Sequence, residues 1–377
     1  MPNPIISDLR TVLLRFPLPR PIVAPFGRLD ARHNLIVIAQ TDGGAQGLGE
    51  IWANFPFWGC TEKVALFEQV VRPLLVGEIL DDPARLYALM QDKLRLLALQ
   101  WGAKGPVQQV IAGVDAALWD AFARTKGVPL RDLLAGQPTA AYYPVYASGL
   151  SCDDTAGQIE EARAQGHRRY KVRISFGPDK DPATLAAARG AAGDEPIMAD
   201  ANQTLTPTSL LALKDPIEAA RLDWLEEPFP VDDLAAYDDF PYGIDVPLAL
   251  GENSYGRAEL ADVTARWNPG VVQPDITKCG GVSEGIVFAR DAVGQGRRLC
   301  LHNFGGAVGL YVSANVMAAV DGADWLEMDA NPNPSFDHAL TITPTVRDGL
   351  LELPEGPGLG IELNEDALAK WRVGGNT

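Results

Sequence analysis

Three carboxylates recur at equal intervals in the middle of this chain, and they constrain its fold more than any other feature. Each one ends a short, mainly apolar run: Asp200 ends residues 197–200, Glu226 ends 222–226 and Glu252 ends 248–252. The intervals from 200 to 226 and from 226 to 252 are both 26 residues long. That is about the length of one strand–helix unit of a parallel sheet. Three consecutive parallel strands would therefore each deliver an acid at the same edge.

Acids gathered at that edge predict a metal site. Barrels of alternating strands and helices place their chemistry at the C-terminal ends of the strands. Three adjacent carboxylates repel one another, and a cation that prefers oxygen ligands, such as Mg²⁺, removes that cost. A single acid after a strand is usually a helix N-cap, but three at equal spacing favour the metal site.

Length and composition limit the class of protein. A chain of 377 residues is too long for one ordinary core, so two domains are expected. The net charge of −17 argues against nucleic acid and anionic membranes as partners. The four cysteines contain no CxxC pair, which argues against a disulfide framework and a zinc site. The N-terminus does not resemble a signal peptide and no apolar run is long enough to span a membrane, so we expect a cytoplasmic protein.

The first part of the chain predicts an α+β domain. Strands are expected over residues 9–16, 34–40 and 47–50, with a proline-rich loop over 17–30, and helices over 62–75, 85–99 and 106–126. A three-stranded meander followed by helices belongs to the α+β class. We assign this domain to residues 1–140 and expect the tail, 351–377, to pack back on it.

The pattern changes to short strands alternating with helices over residues 141–350. The candidate strands are 144–148, 170–174, 197–200, 224–226, 248–251, 271–273, 299–301 and 325–327. Eight strands separated by helices predict a parallel (β/α)₈-type barrel, a modified TIM barrel. The sequence does not resolve the helix at the final position.

Other strand ends carry further ionisable groups. Lys171 and Arg173 lie two apart on the second barrel strand, so both side chains can point into the barrel. There they would bind a substrate carboxylate or transfer protons; a surface salt bridge is the alternative. Asp275 follows the sixth strand and His302 the seventh, so the acid can accept a hydrogen bond from one ring nitrogen and raise the basicity of the other. Glu327 at the end of the eighth strand adds one more acid.

These groups together permit one specific reaction class, proton abstraction next to a carboxylate. A divalent cation and Lys171 would bind the substrate carboxylate, and coordination would stabilise the negative charge that develops when the neighbouring C–H loses its proton. His302 is the expected base. Glu327, if protonated, could donate a hydrogen bond to the developing enolate.

The motifs around these residues resemble those of the enolase superfamily, in its mandelate racemase subgroup, over nearly the whole chain. The matching segments are 112–120 and 127–130 in the first domain and 200–202, 224–228, 251–253, the Asp275/His302 pair and Glu327 in the second. Any one of these motifs is weak evidence alone, but together they are highly specific.

The resemblance implies the roles of several residues. Asp200, Glu226 and Glu252 would be the Mg²⁺ ligands, with Asn202 near the substrate or metal. The capping domain of the family closes over the barrel mouth, so the loops 21–33 and 51–59 should select the substrate. We expect substrate contacts from Arg28, Trp52, Asn54 and Phe55 in these loops and from Ser148 at the end of the first barrel strand. Packing of the cap against the barrel is the alternative role of the aromatic loop. The resemblance also implies a homo-oligomer.

One departure from the subgroup's pattern bears on the reaction. Its two-base racemases carry Lys-x-Lys on the second barrel strand, whereas this chain has Lys171 and Arg173. Deprotonating an arginine of pKa about 13.8 costs about 1.36 kcal/mol per pH unit, or about 8 kcal/mol near pH 8. This favours a one-base enzyme in which His302 takes the α-proton and returns it to a departing β-hydroxyl. The expected activity is dehydration of a hydroxylated monoacid or diacid sugar to a 2-keto-3-deoxy acid.

Three other functions stay open at the level of the sequence. A racemase or epimerase of a 2-hydroxy acid fits the 251–253 motif, and the aromatic loop 52–58 would suit an apolar acid. A cycloisomerase acting on a sugar lactone would use the same metal and base. A catalytically idle sugar-acid binder would be expected to have lost a ligand or the base, and this chain retains both.

Overall fold

The computed structural model describes residues 3–24 and 27–373 and begins with an antiparallel sheet. Its strands are β1 (Ile6–Ala24), β2 (Gly27–Thr41) and β3 (Gln46–Ile51), paired in that order. The meander is as predicted, but the proline-rich segment is not a loop: β1 and β2 form a long hairpin that extends through it. The pair Ile22 and Leu29, both buried, shows why the pairing continues beyond the register shift after Pro17. Residues 25 and 26 of the predicted loop lie outside the described residues.

Five helices and one π-helical segment follow the sheet. They are α1 (Gly59–Leu66), which continues through a π-helical turn (Phe67–Val71) into α2 (Arg72–Leu75), then α3 (Pro83–Trp101), α4 (Lys104–Lys126) and α5 (Leu130–Ala135). The start of α3 is fixed by Asp82, whose side chain accepts a hydrogen bond from the amide of Ala84, and by a proline in the first turn. Its end is fixed by Gly102, whose φ of 69° is accessible to glycine at little cost.

The second domain is a closed barrel of eight parallel strands. These are β4 (Tyr142–Leu150), β5 (Tyr170–Arg173), β6 (Ile197–Asp200), β7 (Leu225–Glu226), β8 (Leu248–Leu250), β9 (Val271–Val272), β10 (Arg298–Leu299) and β11 (Leu326–Asp329). Consecutive strands from β4 to β10 pair in parallel, β11 pairs with β4, and a bridge between Leu301 and Leu326 closes the ring. All eight predicted strands are therefore present.

Helices alternate with the barrel strands. They are α6 (Thr155–Ala164), α7 (Lys180–Ala192), α8 (Pro207–Ala212), α9 (Lys214–Ala220), α10 (Leu234–Asp238), α11 (Arg257–Trp267), α12 (Ile276–Cys279), α13 (Val282–Gly294) and α14 (Ala307–Ala318). The final position holds only the short α15 (Pro334–His338). The chain then forms β12 (Val346–Arg347), β13 (Leu350–Glu352), which is antiparallel to β4, and α16 (Glu365–Trp371). In the described part of the chain, no helix combines the length and the hydropathy needed to cross a bilayer.

Buried carboxylates of the first domain hold it on the barrel. Glu50 of β3 accepts hydrogen bonds from the amides of Gly306 (2.7 Å) and Gly309 (2.8 Å), at the N-terminus of α14. Asp115 of α4 accepts the amide (2.8 Å) and hydroxyl (2.6 Å) of Ser283, at the N-terminus of α13. Helix N-termini present unpaired N–H groups and a positive dipole end, so a carboxylate is the favoured partner.

The C-terminal segment contacts both domains. Leu359 donates its amide to Asp120 of α4 (2.7 Å), and the amide of Val373 donates to the carbonyl of Leu13 in β1 (2.8 Å). These contacts place the described part of the tail, up to residue 373, against the first domain. Residues 374–377 lie outside the described residues.

The first domain is packed tightly where β3 crosses α4. A Cβ atom added to Gly113 of α4 would lie 2.8 Å from the backbone nitrogen of Ile51 and 2.9 Å from the carbonyl carbon of Glu50. Both neighbours are backbone atoms, which cannot move aside as a side chain can. The close approach holds Glu50 at the position from which it reaches the barrel.

We expect Gly113→Ala to lower the free energy of unfolding by about 2 kcal/mol or more, because the added methyl overpacks this crossing. The matched control is Gly190→Ala in α7, an exposed helical glycine with open space around it. That change should raise stability by about 0.5–1 kcal/mol, since alanine is the better helix former. Urea unfolding of both variants measures the difference, and equal stability of Gly113→Ala and the wild type would contradict the packing argument.

Candidate active site

Lys171 occupies the centre of the barrel mouth. Its Nζ lies 2.6 Å from Oε1 of Glu226, 2.9 Å from Oε1 of Glu327 and 3.8 Å from Oδ2 of Asp200. The side chain is only 2% exposed, so these carboxylates take the place of water around the ammonium. Burial alone would lower the pKa of Lys171, but the charges of the three acids outweigh it and raise the pKa well above the ordinary value.

Strand alternation explains why these groups face inward. Met198 of β6 and Trp224, immediately before β7, belong to the cluster that fills the barrel interior, and Asp200 and Glu226 each lie two residues further along the chain. The same alternation sends Ala199 and Leu225 to the outer face, where they pack among the surrounding helices.

Burial raises the pKa of two acids in this cluster. It raises the pKa of Glu226 to about 8, with the neighbouring carboxylates adding to the rise and Lys171 opposing it. It also raises the pKa of Asp200, to which the charge of Glu252 contributes. Asn202 orients Asp200, donating its amide (2.7 Å) and its side-chain Nδ2 (2.8 Å) to the two carboxylate oxygens. The mutual repulsion of these acids is the kind that a divalent cation relieves.

The donor chemistry of Asp200, Glu226 and Glu252 therefore fits an oxygen-ligated divalent cation. Within the described residues, no three histidine, cysteine or acidic side chains already converge on one point as metal ligands. Glu226 turns toward Lys171, and Glu252 turns toward His302, with 3.0 Å between Oε2 and Nε2. Holding a cation would require Glu226 and Glu252 to exchange these partners for it.

His302 and Asp275 form a buried pair. The Nδ1 atom of His302 lies 2.7 Å from Oδ2 of Asp275, while Nε2 faces Glu252 at 3.0 Å and Glu327 at 3.8 Å. Oδ1 of Asp275 accepts the amide and hydroxyl of Thr277 in the first turn of α12, which fixes the carboxylate. Burial opposes protonation, but Glu252, Glu327 and Asp275 together raise the pKa of His302 to about 10.

The carboxylate of Glu327 accepts hydrogen bonds from three donors. Its donors are the hydroxyl of Ser148, the ammonium of Lys171 and the amide of Asn303 at 3.1 Å. Burial would raise its pKa, but Lys171 and His302 outweigh burial and hold the pKa below the ordinary value. Glu327 is thus a hydrogen-bond acceptor in this arrangement, with two cations beside its carboxylate. The donor role considered in the sequence analysis applies only to its protonated form.

Arg173 is buried beside the cluster. Its guanidinium lies over the ring of Phe304, with the central carbon 5.1 Å from the ring centroid, and its Nη1 has no hydrogen-bond partner among the described residues. Its side chain lines a cavity above the strand ends. An unpaired buried donor at this position is available to a ligand.

A cavity of about 440 Å³ covers the cluster. Its barrel-side wall includes Ser148, Arg173, Asp200, Asn202, Gln203, Glu227, Glu252, Asn253, Tyr255, Lys278, His302, Phe304 and Glu327. Its cap-side wall comes from the first domain: Leu29, Trp52, Phe55, Pro56, Trp58, Gly59, Glu62, Lys63, Pro106 and Gln109. Of the predicted substrate contacts, Ser148, Asn202, Trp52 and Phe55 thus line the cavity.

Two predicted substrate contacts lie elsewhere. The guanidinium of Arg28 is largely exposed and pairs with Asp30 at 2.9 Å, because the hairpin directs it to solvent. Asn54 is buried, where its side chain donates to the carbonyl of Phe304 and accepts the amide of His33 at 3.4 Å. Asn54 therefore fastens the aromatic loop to the barrel and is not part of the cavity wall.

The sequence analysis did not identify several residues of the cavity. Glu227, the second acid of the 226–228 motif, is buried and accepts two hydrogen bonds from Nδ2 of Asn253. Lys278 contacts Asn253 and Glu252, and Lys63 reaches the cavity from α1. Lys278 follows Asp275 by three residues, which places both on one face of a helical turn. This spacing could have identified Lys278 as a cavity residue from the sequence.

A capped barrel with buried ionisable groups at its strand ends is an arrangement typical of enzymes. Comparisons with known proteins identify the family. The family described as enolase C-terminal domain-like matches residues 154–367, and the mandelate racemase/muconate lactonizing enzyme N-terminal domain matches residues 8–135. The chain therefore belongs to the enolase superfamily, in the mandelate racemase/muconate lactonizing enzyme group.

Relatives of known activity cover the chain almost completely. It is 30% identical to D-galactarolactone cycloisomerase of Agrobacterium fabrum, over 98% of this chain and 99% of the relative. It is 26% identical to arabinonate dehydratase of Saccharolobus solfataricus, over 91% and 92% of the two chains. A further relative, 24% identical, is the N-succinyl-L-Arg/Lys racemase of Bacillus cereus, with 98% of each chain covered. The relatives thus include isomerases and lyases.

Solved structures agree with the family assignment. A mandelate racemase/muconate lactonizing enzyme from Bordetella bronchiseptica RB50 has a TM-score of 0.88 and 34% identity, covering 97% of this chain and 98% of the other. An enolase from Bradyrhizobium, complexed with magnesium and mandelic acid, has a TM-score of 0.87 and 27% identity, covering 99% and 100%. The capping domain and barrel together form the enolase superfamily fold.

Proposed function

We propose that this protein is a Mg²⁺-dependent enzyme that removes the α-proton of a carboxylate substrate and dehydrates an acid sugar. The observation that carries the proposal is the His302–Asp275 pair. Its Nδ1 is held by a buried carboxylate at 2.7 Å, while Nε2 points toward the acids at the barrel mouth. With Glu252 facing Nε2, the ring of His302 is protonated. A cation held by Glu252 would draw that carboxylate away, and the neutral ring, fixed by Asp275, would then present Nε2 to a substrate as the base.

The side chains around His302 divide the remaining tasks. Asp200, Glu226 and Glu252 would hold the cation, which when bound stabilises the negative charge that builds up on the substrate carboxylate. Lys171 would bind the same carboxylate. The name of the magnesium-bound Bradyrhizobium structure supports the choice of metal.

Dehydration needs only one proton carrier. His302 takes the proton from the carbon next to the carboxylate, and then gives it to the β-hydroxyl, which leaves as water. The enol product becomes a 2-keto-3-deoxy acid. Arg173 occupies the position of a second base, yet its high intrinsic pKa makes it a hydrogen-bond donor to the substrate at neutral pH.

A second candidate is a cycloisomerase acting on a sugar lactone. It is favoured by the 30% identity, over nearly the full length of both chains, to a D-galactarolactone cycloisomerase. A racemase or epimerase would require Lys171 or Arg173 to act as a second base. All three reactions begin with α-proton removal, so only the product distinguishes them.

The deciding experiment is a screen of mono- and diacid sugars, their lactones and mandelate-like acids with Mg²⁺ in D₂O. Semicarbazide reports 2-keto products, and NMR reports exchange of the α-proton and ring opening. A keto product formed from an acid sugar with net loss of one water supports dehydration. Ring opening of a lactone without net loss of water supports the cycloisomerase, and inversion without a keto product contradicts dehydration.

We expect Mg²⁺ to raise the melting temperature of the metal-stripped protein, because binding to the folded state alone stabilises it by about 2.7 kcal/mol at a concentration 100 times the dissociation constant. Asp200→Asn should abolish most of that rise. Asp194→Asn, which alters an acid with a fully solvated side chain, is the control and should keep it. An undiminished rise in Asp200→Asn would show that the ligand assignment is wrong.

We expect His302→Asn to lower α-proton exchange and turnover at least about 10³-fold, since it removes the proposed base. Asp275→Asn should lower both about 10²- to 10⁴-fold, because it disturbs the tautomer and orientation of the ring. His338→Asn, outside the cavity, serves as the control. Exchange that survives in His302→Asn but disappears in Lys171→Met would move the base to Lys171.

A further inference from the structure

Lys63 is a buried cation in the cap-side wall without an acidic partner. Its side chain extends from α1, the residue is 4% exposed, and its Nζ donates to the carbonyl of Trp52 at 2.6 Å. Among the described residues, no carboxylate lies within ion-pair distance of Nζ, and the neighbouring Glu62 lies beyond it. An ammonium has three donors, and the Trp52 carbonyl uses one of them.

A second lysine adds positive charge to the same region. The Nζ of Lys278 lies 4.6 Å from the centroid of a Trp52 ring, 3.1 Å from Oδ1 of Asn253 and 3.5 Å from Oε1 of Glu252. Among the described residues, Glu252 is the one carboxylate within ion-pair distance of this Nζ, and in the proposed function it is committed to the cation. Lys63 therefore contacts the carbonyl of Trp52, and Lys278 lies over its ring.

The two lysines differ in how far their charges are compensated locally. Burial lowers the pKa of Lys63 to about 8, with Cys60 and Glu62 partly opposing the fall and Lys278 adding to it. Burial would lower the pKa of Lys278 too, but the charges of Glu252, Asp275 and Glu227 hold that pKa above its ordinary value. Burying a cation without a counter-charge is costly, so a buried ammonium that lines a cavity favours an anionic ligand group there.

The arginines that could bind an anion are engaged or placed elsewhere. Arg28 is exposed and paired with Asp30, Arg32 is buried against Asp329, and Arg20 lines a different cavity. Arg173 does line this cavity, but from the barrel-side wall, beside the groups assigned to the reaction. The cap-side wall therefore has its own cationic group.

We propose that Lys63 and Lys278 form an anion subsite that binds a second carboxylate of the substrate, so that the natural substrate is a dicarboxylate. This inference rests on the proposed function, which places the first carboxylate at Lys171 and the metal ligands. The aromatic side chain of Trp52 lies between the two regions, with its ring 6.0 Å from that of His302, and would contact the carbon chain that joins the two carboxylates.

The test compares diacids with monoacids of equal length in a binding measurement that needs no turnover. Isothermal titration of the Mg²⁺-loaded protein with glucarate and gluconate, and with galactarate and galactonate, gives two matched pairs. We expect the wild type to bind at least one diacid about 10- to 100-fold more tightly than its monoacid partner, the range of one charge-assisted hydrogen bond. Equal affinity within both pairs would overturn the subsite.

The variant Lys63→Gln keeps an N–H donor for the Trp52 carbonyl and removes the charge. We expect it to lower the ratio of diacid to monoacid affinity to about one, and Lys63→Arg to restore most of the ratio. Lys93→Met, which removes an exposed lysine of α3, is the control and should leave the ratio unchanged. An unchanged ratio in Lys63→Gln would overturn the assignment and move the second carboxylate to Arg173.

The binding result is independent of the reaction. A diacid preference that depends on Lys63 supports the subsite even if no compound in the screen is dehydrated. Turnover of a monoacid, with no diacid preference, supports α-proton chemistry and overturns the subsite.

Discussion

The barrel mouth depends on the ammonium of Lys171, which lies among three buried carboxylates. Taking each ion out of water costs several kcal/mol, and removing one partner from a buried cluster of charges costs about 3–5 kcal/mol because the others are left uncompensated. The contacts at 2.6 Å to Glu226 and 2.9 Å to Glu327 supply that compensation. In the proposed function the same side chain would bind a substrate carboxylate, so that stability and chemistry would draw on one group.

The capping domain takes its position from a related interaction, the pairing of buried carboxylates with helix N-termini. Glu50 and Asp115 accept main-chain hydrogen bonds from α14 and α13 of the barrel. The close packing of Gly113 against β3 fixes the strand that carries Glu50. This attachment brings the aromatic loop and Lys63 over the strand ends, and the cavity is complete only because both domains contribute a wall.

Much of the fold was predictable because it follows local periodicity. Short apolar runs alternating with helical segments predicted all eight barrel strands, and alternation along β5–β7 directed Lys171, Asp200 and Glu226 inward. What could not be predicted depends on tertiary contacts. The segment 17–30 reads as a loop from its prolines, yet its strands pair across the hairpin, which turns Arg28 to solvent. The position of Lys63 depends on a contact of this kind, the hydrogen bond from its Nζ to the carbonyl of Trp52 in the loop 52–58.

The attachment of Glu50 and Asp115 has a consequence for how relatives of this protein can diverge. The body of the cap is anchored to barrel helices by main-chain hydrogen bonds. Changes in the loop 52–58 or at Lys63 are therefore expected to leave the positions of the strand-end acids unchanged. In the proposed function, most of the cap-side substrate contacts and the proton-abstracting groups would therefore be encoded in separate parts of the gene. A few substitutions in the cap would then alter the substrate while the groups at the strand ends stay in place.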